Sequence, residues 1–314
     1  MAIWRHLLRP LLPWLWRILA AVVASLVIAW VAGTVLIARR EVDPGGLLPA
    51  NIPGRMIVAG GRQVHVVEAG QGEPVLLVHG FAGSTFAWEE AVLPALAASY
   101  HTIAVDLLGM GFSARPSDLA YGYEAWSRQI VDVMDALALP RAALVGHALG
   151  GAITAIVAGD HPDRVSKLVL VAPLVPLEQA ERPWFFKLLE IPGVGEMMLG
   201  TTDHLPNLPG FSETYQSRAR RIFRLRGTRE ALLTYVRHGR DSPRLVAAYR
   251  TIEAPTLVVA GTADDIVPYA AVKRWAPAIH DALVLPVSGA GHWLMRDEPT
   301  RVSAAIADFI SGER

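Results

Sequence analysis

The chain has 314 residues, and its 29 Lys and Arg balance its 29 Asp and Glu, so the formal net charge is zero. This length indicates one large domain or two small ones. A neutral balance gives no global attraction to nucleic acid. There is no Cys, which excludes disulfides, thiolate catalysis and thiolate metal sites but does not fix the cellular compartment.

An uncharged apolar run near the N-terminus predicts a membrane anchor within residues 1–40. Residues 18–38 (ILAAVVASLVIAWVAGTVLIA) contain 21 residues without a charge. At ~1.5 Å per helical residue, this run crosses a hydrocarbon core of ~30 Å. A cleaved signal peptide has an apolar run of only ~7–15 residues and a small-residue cleavage site, neither of which fits. We therefore predict an uncleaved single-pass transmembrane helix.

Positive charges flank this run on both sides. Three Arg and the amino terminus precede it, and three Arg follow it together with Glu41 and Asp43. The balance favours the N-terminus inside and the globular domain on the extracytoplasmic (periplasmic) side. Residues 41–54 (EVDPGGLLPANIPG) are rich in Pro and Gly and predict a linker.

Beyond the linker, short apolar segments alternate with helical stretches. The first two segments, RMIVAG and QVHVVEAG, predict a hairpin. The later segments are continuous apolar runs, typical of strands covered on both faces: 74–80, 101–109, 142–147, 167–173, 255–261 and 282–287. The helical stretches between them include 123–139, 148–160 and 301–311. The alternation predicts an α/β fold with a doubly wound, mostly parallel sheet. Chemistry is then expected beyond the carboxyl ends of the strands.

No strand-like segment occurs between residues 174 and 250, and this stretch is helical in pattern. We therefore predict a helical cap at 174–250, inserted between core segments 55–173 and 251–314. The cap opens with the apolar patch PWFFKLLEIPGVGEMMLG. We expect its large apolar side chains in the cap core, some of them lining an apolar acyl pocket: Trp184, Phe185, Phe186, Leu188 and Leu189. Between residues 216 and 250, ten Arg stand against one Glu and one Asp. This basic stretch is either a solvated helix face or a surface that binds anionic lipid headgroups.

The segment Gly146–Gly150 reads GHALG and lies between an apolar strand and a predicted helix. The pattern G-x-S-x-G in this context is a nucleophile elbow, in which glycines flank the apex because the turn is strained and backbone approaches closely. Here Ala148 occupies the apex, so only the hydroxyl group is absent.

From about Gly54 to the end, the chain resembles an α/β-hydrolase with a helical cap. It is similar to the group of esterases, epoxide hydrolases, haloalkane dehalogenases and C–C bond hydrolases. Four motifs occur around the elbow in the order of that family: HGFAGSTFAW (79–88), DLLGMGFSARP (106–116), GTADDIVP (261–268) and GAGHW (289–293). The first corresponds to the oxyanion loop, the third to the loop of the acid and the fourth to the loop of the base.

The resemblance implies a role for each matching position. His292 would be the general base, and Asp264 would hold its imidazole ring. Asp265 is the alternative acid. Asp264 is favoured because it lies three residues after Gly261 and four before Pro268, as the acid of the family does. The backbone N–H groups of Phe81 and Leu149 would bind the oxyanion.

Ala148 is the departure from the family pattern, because Ala cannot attack and is not the Asp of dehalogenases and epoxide hydrolases. Loss of a triad nucleophile lowers kcat by ~10⁶, so we predict at most residual turnover. One explanation is a hydrolase inactivated by a Ser→Ala substitution, and the retained Asp264 and His292 favour it. Another is a natural non-catalytic form. A third is chemistry by the His–Asp pair alone.

The predicted function is therefore that of a membrane-anchored serine hydrolase with Ala148 at the nucleophile position. Its expected substrate is an apolar ester, such as a lipid, cleaved through an acyl-enzyme. The choice of an ester over a C–C or amide bond is implied by family frequency alone. The alternative is a non-catalytic binding or assembly subunit at the membrane, with a protein partner.

No cofactor and no metal are predicted. GMGFSA (109–114) imitates a dinucleotide fingerprint, but Arg115 and Pro116 follow where a helix should begin. The histidines form no H-x-x-x-H pair, so no metal site is expected. His79 and His147 are expected to shape and pack the site rather than to react.

Overall fold

Eight strands form one sheet in the computed structural model, which describes residues 12–43, 52–177, 181–202, 211–239 and 242–312. In chain order the strands are β1 (Arg55–Ala59), β2 (Arg62–Ala69), β3 (Pro74–Val78), β4 (His101–Val105), β5 (Ala142–His147), β6 (Val165–Val171), β7 (Thr256–Gly261) and β8 (Leu283–Val287). Each apolar segment singled out in the sequence supplies one of these strands.

The strand order across the sheet is β1-β2-β4-β3-β5-β6-β7-β8. Strands β1 and β2 form an antiparallel hairpin, β2 pairs antiparallel with β4, and all other pairs are parallel. Strand β5 lies near the centre and is buried along its whole length, because helices cover both faces of the sheet. The predicted doubly wound, mostly parallel sheet is confirmed.

Thirteen α-helices lie within the described residues: α1 (Leu12–Arg40), α2 (Phe86–Glu89), α3 (Val92–Ala97), α4 (Tyr123–Ala136), α5 (Leu149–Asp160), α6 (Trp184–Glu190), α7 (Val194–Thr201), α8 (Glu213–Phe223), α9 (Thr228–Thr234), α10 (Ser242–Thr251), α11 (Tyr269–Trp275), α12 (Leu294–Asp297) and α13 (Pro299–Ser311). Helix α4 ends three residues earlier than predicted, because the chain turns at Ala138, which has a φ of +53°. Left-handed backbone of this kind cannot continue a right-handed helix.

Helices α6 to α10 lie between β6 and β7 and occupy the span predicted as the cap. Two of the ten Arg of the basic stretch are structural and fit neither interpretation given above. Arg229 is fully buried and donates to the carbonyl oxygens of Leu199 and Thr202. Arg237 forms a two-point ion pair with Glu196 at 2.8 Å.

The aromatic segment that opens the cap only partly follows its prediction. Leu189 is buried as expected, and Phe185 and Phe186 are half-buried. Trp184 is 71% exposed, so its placement in the cap core was wrong. It is the first residue of α6.

The N-terminal apolar run forms helix α1, which is long and apolar enough to cross a membrane. Its side chains from Trp14 to Ser25 are all exposed. The first residues of the predicted linker pair with the cap: Val42 donates to and accepts from the backbone of Arg224 and Arg226, at 2.8 and 2.9 Å. Residues 44–51 of the predicted linker, and residues 1–11, lie outside the described residues.

Candidate active site

The elbow is a sharp turn between β5 and α5 with Ala148 at its apex. Ala148 has φ +49° and ψ −111°, a conformation that L-residues rarely adopt. Its N–H donates to the carbonyl oxygen of Val171 at 3.0 Å, which holds the turn against the next strand. Glycines flank the turn because a Cβ on Gly146 would lie 2.3 Å from the Gly150 carbonyl oxygen, and one on Gly150 would lie 2.1 Å from that of Val78.

Asp264 and His292 form the hydrogen-bonded pair that the resemblance implied. His292 Nδ1–H donates to Asp264 Oδ2 at 2.9 Å, and both residues are buried. The other carboxylate oxygen of Asp264 accepts the N–H groups of Ile266 and Val267, each at 2.8 Å. The carboxylate is thus fixed by three hydrogen bonds, and it fixes the imidazole tautomer that leaves Nε2 free to act as a base. The alternative acid, Asp265, is exposed.

His147, the residue before the apex, connects the elbow with this pair. Its Nε2–H donates to the carbonyl oxygen of His292 at 3.0 Å, and the two rings lie 4.9 Å apart. Complete burial, reinforced by the charge of His292, lowers the pKa of His147 to about 3. The ring is therefore neutral, and it brings the loop of the base against the strand that carries Ala148.

The loop after β3 lies directly over the elbow. A Cβ on Gly80 would lie 3.2 Å from the Cβ of Ala148. The fully buried His79 fixes the loop: its Nδ1–H donates to the Gly80 carbonyl oxygen at 2.7 Å, and its Nε2 accepts the N–H of Leu107 at 3.1 Å. Burial lowers the pKa of His79, which agrees with this neutral pattern.

Phe81 follows Gly80 in this loop, and Leu149 is the first residue of α5. An N–H group in the first turn of a helix has no intrahelical acceptor and is available to an anion. Of the two positions predicted for the oxyanion hole, Leu149 directly follows Ala148, and Phe81 follows Gly80, whose backbone lies over the elbow.

Asp106, at the end of β4, organises the loop that carries the D-x-x-G-x-G-x-S motif. It accepts His65 Nδ1–H and the backbone N–H groups of Thr85 and Phe112, all at 2.7 Å. Complete burial is the largest single influence on the pKa of Asp106 and raises it. The hydrogen bonds and the adjacent histidine together outweigh burial, so the pKa is lowered from its ordinary value. This second His–Asp pair is fully enclosed and supports the loops on one side of the site.

Aromatic rings from the cap lie against Phe81. Phe186 of α6 is 5.4 Å from the Phe81 ring, and Tyr235 is 5.7 Å from it. Trp126 of α4 lies 5.1 Å from the Tyr235 ring. The wall contributed by these residues is aromatic and uncharged. Sequence reasoning did not find Tyr235, because it lies in a helical segment whose pattern gives no sign of which side faces the elbow.

Within the residues that the structure describes, no group of three His, Asp or Glu side chains is close enough to hold a metal ion. The segment 109–114, which imitates a dinucleotide fingerprint, belongs to the Asp106 loop and does not open a helix.

Comparison with known proteins identifies the fold and its chemistry. The chain is 31% identical over 288 residues to 2-hydroxymuconate semialdehyde hydrolase of Pseudomonas sp. (strain CF600), covering 84% of this chain and 96% of that protein. It belongs to the α/β-hydrolase superfamily. The chain is also 28% identical to epoxide hydrolase A of Mycobacterium tuberculosis. That alignment covers 82% of this chain and 97% of the epoxide hydrolase. The protein is accordingly a hydrolase.

Family models and solved structures agree with this assignment. Residues 73–194 match the model of the alpha/beta hydrolase fold, and residues 236–313 match that of TAP-like proteins. Haloalkane dehalogenase DbeA from Bradyrhizobium elkani superposes with a TM-score of 0.74 at 24% identity, covering 82% of this chain and 97% of its own. The meta-cleavage product hydrolase from Pseudomonas fluorescens IP01 gives a TM-score of 0.66 at 23% identity, covering 83% and 99%. At this level of identity the likeness concerns the α/β-hydrolase fold alone.

Proposed function

We propose that this protein is a membrane-anchored serine-type hydrolase of apolar esters, inactive or nearly so while Ala148 occupies the nucleophile position. The observation that carries the proposal is the Asp264–His292 hydrogen bond of 2.9 Å, retained beside an elbow that lacks only one oxygen atom. A chain without hydrolytic function has no chemical need for a carboxylate that fixes an imidazole at this place.

With Ser at position 148, the reaction follows from the positions of these groups. His292 takes the hydroxyl proton as the Oγ bonds to the substrate carbonyl carbon, and the N–H groups of Phe81 and Leu149 stabilise the oxyanion. His292 then protonates the alkoxide that leaves, which gives an alcohol and an acyl-enzyme. Water, deprotonated by the same imidazole, attacks the acyl carbon and releases the acid and the free hydroxyl.

The aromatic wall formed by Phe81, Phe186 and Tyr235 favours an acyl group that is apolar. The burial of apolar surface against uncharged rings stabilises the bound substrate. A second candidate substrate is an unsaturated oxo acid, because the relative at 31% identity is a 2-hydroxymuconate semialdehyde hydrolase. The Oγ of a Ser at position 148 would attack its carbonyl carbon, the adjacent C–C bond would break, and the protonated His292 would give its proton to the carbon that leaves.

A non-catalytic role at the membrane is the competing function, and Ala148 itself favours it. Such a protein would use the cap to bind a protein partner, without turnover.

The test compares the full chain with its Ala148→Ser variant, on short and long acyl esters, on an unsaturated oxo acid, and with a serine-reactive phosphonate. We expect the variant to hydrolyse esters and to be labelled, and the chain with Ala148 to do neither. Addition of His292→Ala to the variant is the matched control and should abolish both. A folded Ala148→Ser variant that stays inert on every substrate and unlabelled would refute the proposal in favour of the binding role.

A further inference from the structure

Helix α1 packs along the cap over its second half. A Cβ on Gly33 would lie 2.5 Å from the carbonyl carbon of Glu196 and 2.6 Å from the nitrogen of Met197, so the two backbones are in direct contact there. The half-buried side chains of α1 between Leu26 and Leu36 lie on the same face as Gly33, and the residues between them are mostly exposed. This face recurs at helical spacing, as expected for a helix with one partner.

Helix α7 provides the small residues on the other side of this contact. A Cβ on Gly200 would lie 2.8 Å from the Gly33 carbonyl oxygen, and one on Gly193 would lie 2.4 Å from that of Leu26. Small residues on both helices allow the close backbone approach that is typical of helix pairs in membranes. The α1–α7 pair thus has the composition of an intramembrane contact, although α7 belongs to the cap.

The position of this contact along α1 determines how deep it lies. Only the eight residues Ile18–Ser25 of the uncharged run precede the first contact at Leu26. They span ~12 Å of helix, much less than a hydrocarbon core of ~30 Å. If α1 crosses the bilayer, the segment that contacts α7 must lie in the core as well. Gly33 is seven residues from Arg40, which places it ~10 Å from that end of the helix.

The adjoining surface of the cap is suited to an apolar environment. Trp184 is 71% exposed, and Ile191 and Pro192, between α6 and α7, are exposed as well. Two charged pairs lie next to them: Arg182 contacts Glu190, and the Glu196 side chain, only 6% exposed, is held by Arg237. Lys187 of α6 is half-buried. Charged side chains within a bilayer face the protein interior and pair in this way.

A basic rim marks the end of α1 where this apolar surface stops. Arg39, Arg221, Arg224 and Arg226 are exposed there, and Arg224 Nε–H donates to the Arg40 carbonyl oxygen at 3.4 Å. Exposed Arg next to an apolar surface is complementary to anionic headgroups. Along α1, the apolar surface of the cap is thus followed by the basic rim, as the acyl chains of a bilayer are followed by its headgroups.

We propose that α6 and α7 lie among the acyl chains of the bilayer beside α1, and that the substrate enters the site laterally from the membrane along α6. Trp184 at one end of α6 is exposed, and Phe186 two residues later lies 5.4 Å from the Phe81 ring in the oxyanion loop. An apolar molecule therefore passes from lipid to the site without crossing water. This proposal rests on the proposed membrane anchoring.

Single Cys residues test this placement directly, because the chain contains no other Cys. Trp184→Cys and Ile191→Cys report on the cap, Ile28→Cys on the anchor, and Leu283→Cys on the exposed edge of the core sheet. Each full-length variant is labelled with an environment-sensitive fluorophore and reconstituted in phosphatidylcholine vesicles containing phosphatidylglycerol. Quenching by nitroxides on the acyl chains is compared with quenching by aqueous iodide.

We expect probes at positions 28, 184 and 191 to be quenched several-fold more by the acyl-chain nitroxide than by iodide, and the probe at 283 to show the opposite. Quenching by nitroxide at 28 with iodide quenching at 184 and 191 would overturn cap insertion and leave the anchoring intact. Iodide quenching at all four positions would overturn the anchoring and this inference together. Neither result bears on hydrolysis by the Ala148→Ser variant, which is measured separately.

Discussion

The His147 ring lies 4.9 Å from the His292 ring, and its Nε2–H donates to the His292 carbonyl oxygen at 3.0 Å. The residue before the apex of the elbow thus holds the backbone of the residue proposed as the general base. Because burial keeps this ring neutral, protonation of His147 in the folded protein would place a charge directly beside His292.

The first prediction concerns pH and stability. The folded-state pKa of His147 is about 3, below the ordinary 6.5, so the unfolded chain binds this proton first as the pH falls. The stability that the neutral ring provides is complete above pH ~6.5 and is lost toward pH ~3, at ~1.4 kcal/mol per pH unit. His147→Gln should reduce the slope of the unfolding free energy against pH in this range by the amount that corresponds to about one bound proton. The same substitution at the exposed His161 is the control, and an equal change of slope there would contradict the assignment.

The second prediction separates the two neighbouring carboxylates. In the Ala148→Ser variant, Asp264→Asn should lower kcat by ~10⁴, because the amide no longer holds the imidazole in the required tautomer. Asp265→Asn should change kcat by less than about twofold, since that side chain is exposed and does not contact His292 within the described residues. Steady-state ester hydrolysis measures both. The reverse order of effects would make Asp265 the acid.

The third prediction concerns the strained backbone of the elbow. Ala148 has φ +49° and ψ −111°, which is costly for any residue with a Cβ. Ala148→Gly should therefore raise the free energy of unfolding by about 1 kcal/mol. Ala152→Gly, within the regular part of α5, should lower it by a similar ~1 kcal/mol. Denaturant unfolding in detergent micelles compares the two, and a destabilising Ala148→Gly would show that the turn is not strained.

The fourth prediction concerns the contact between anchor and cap. Gly33→Leu inserts a side chain where the Glu196 backbone lies 2.5 Å from an added Cβ, so α7 must separate from α1. Backbone amides of Val194–Thr201 should then exchange several-fold faster with solvent in detergent-solubilised protein. Thr34→Leu, on the exposed side of α1, should leave the exchange unchanged. Unchanged exchange in both variants would mean that the contact contributes nothing to the order of the cap.

Much of the fold follows from the sequence, because a strand buried on both faces leaves a continuous apolar run such as Leu144 and Val145 in β5. The Asp264–His292 hydrogen bond was expected from the family motifs, and its geometry agrees with that expectation. The Arg-rich stretch could not be resolved in advance. Arg229 is buried and Arg224 is exposed, although both are the same residue type in one basic stretch. Only their tertiary contacts distinguish them.

The contact of α1 with the cap was not visible in the sequence either. Gly33 in an apolar helix is compatible with lipid on every side, and its role appears only when Gly200 of a distant helix lies against it. The segment from Glu41 to Asp43 was predicted as part of a linker from its composition. The structure places Val42 beside Leu225 in a bridge, because exposed backbone groups of the cap provide the matching donors and acceptors.

The pairing at Val42 and the contact at Gly33 both join the N-terminal segment to the cap, one within α1 and the other two residues beyond its end at Arg40. A body held at two points keeps its orientation relative to whatever holds it. If α1 is anchored in a bilayer as we propose, the cap is held in place relative to the membrane. An opening between cap and sheet would then move the sheet and its helices, rather than the cap, toward and away from the membrane plane.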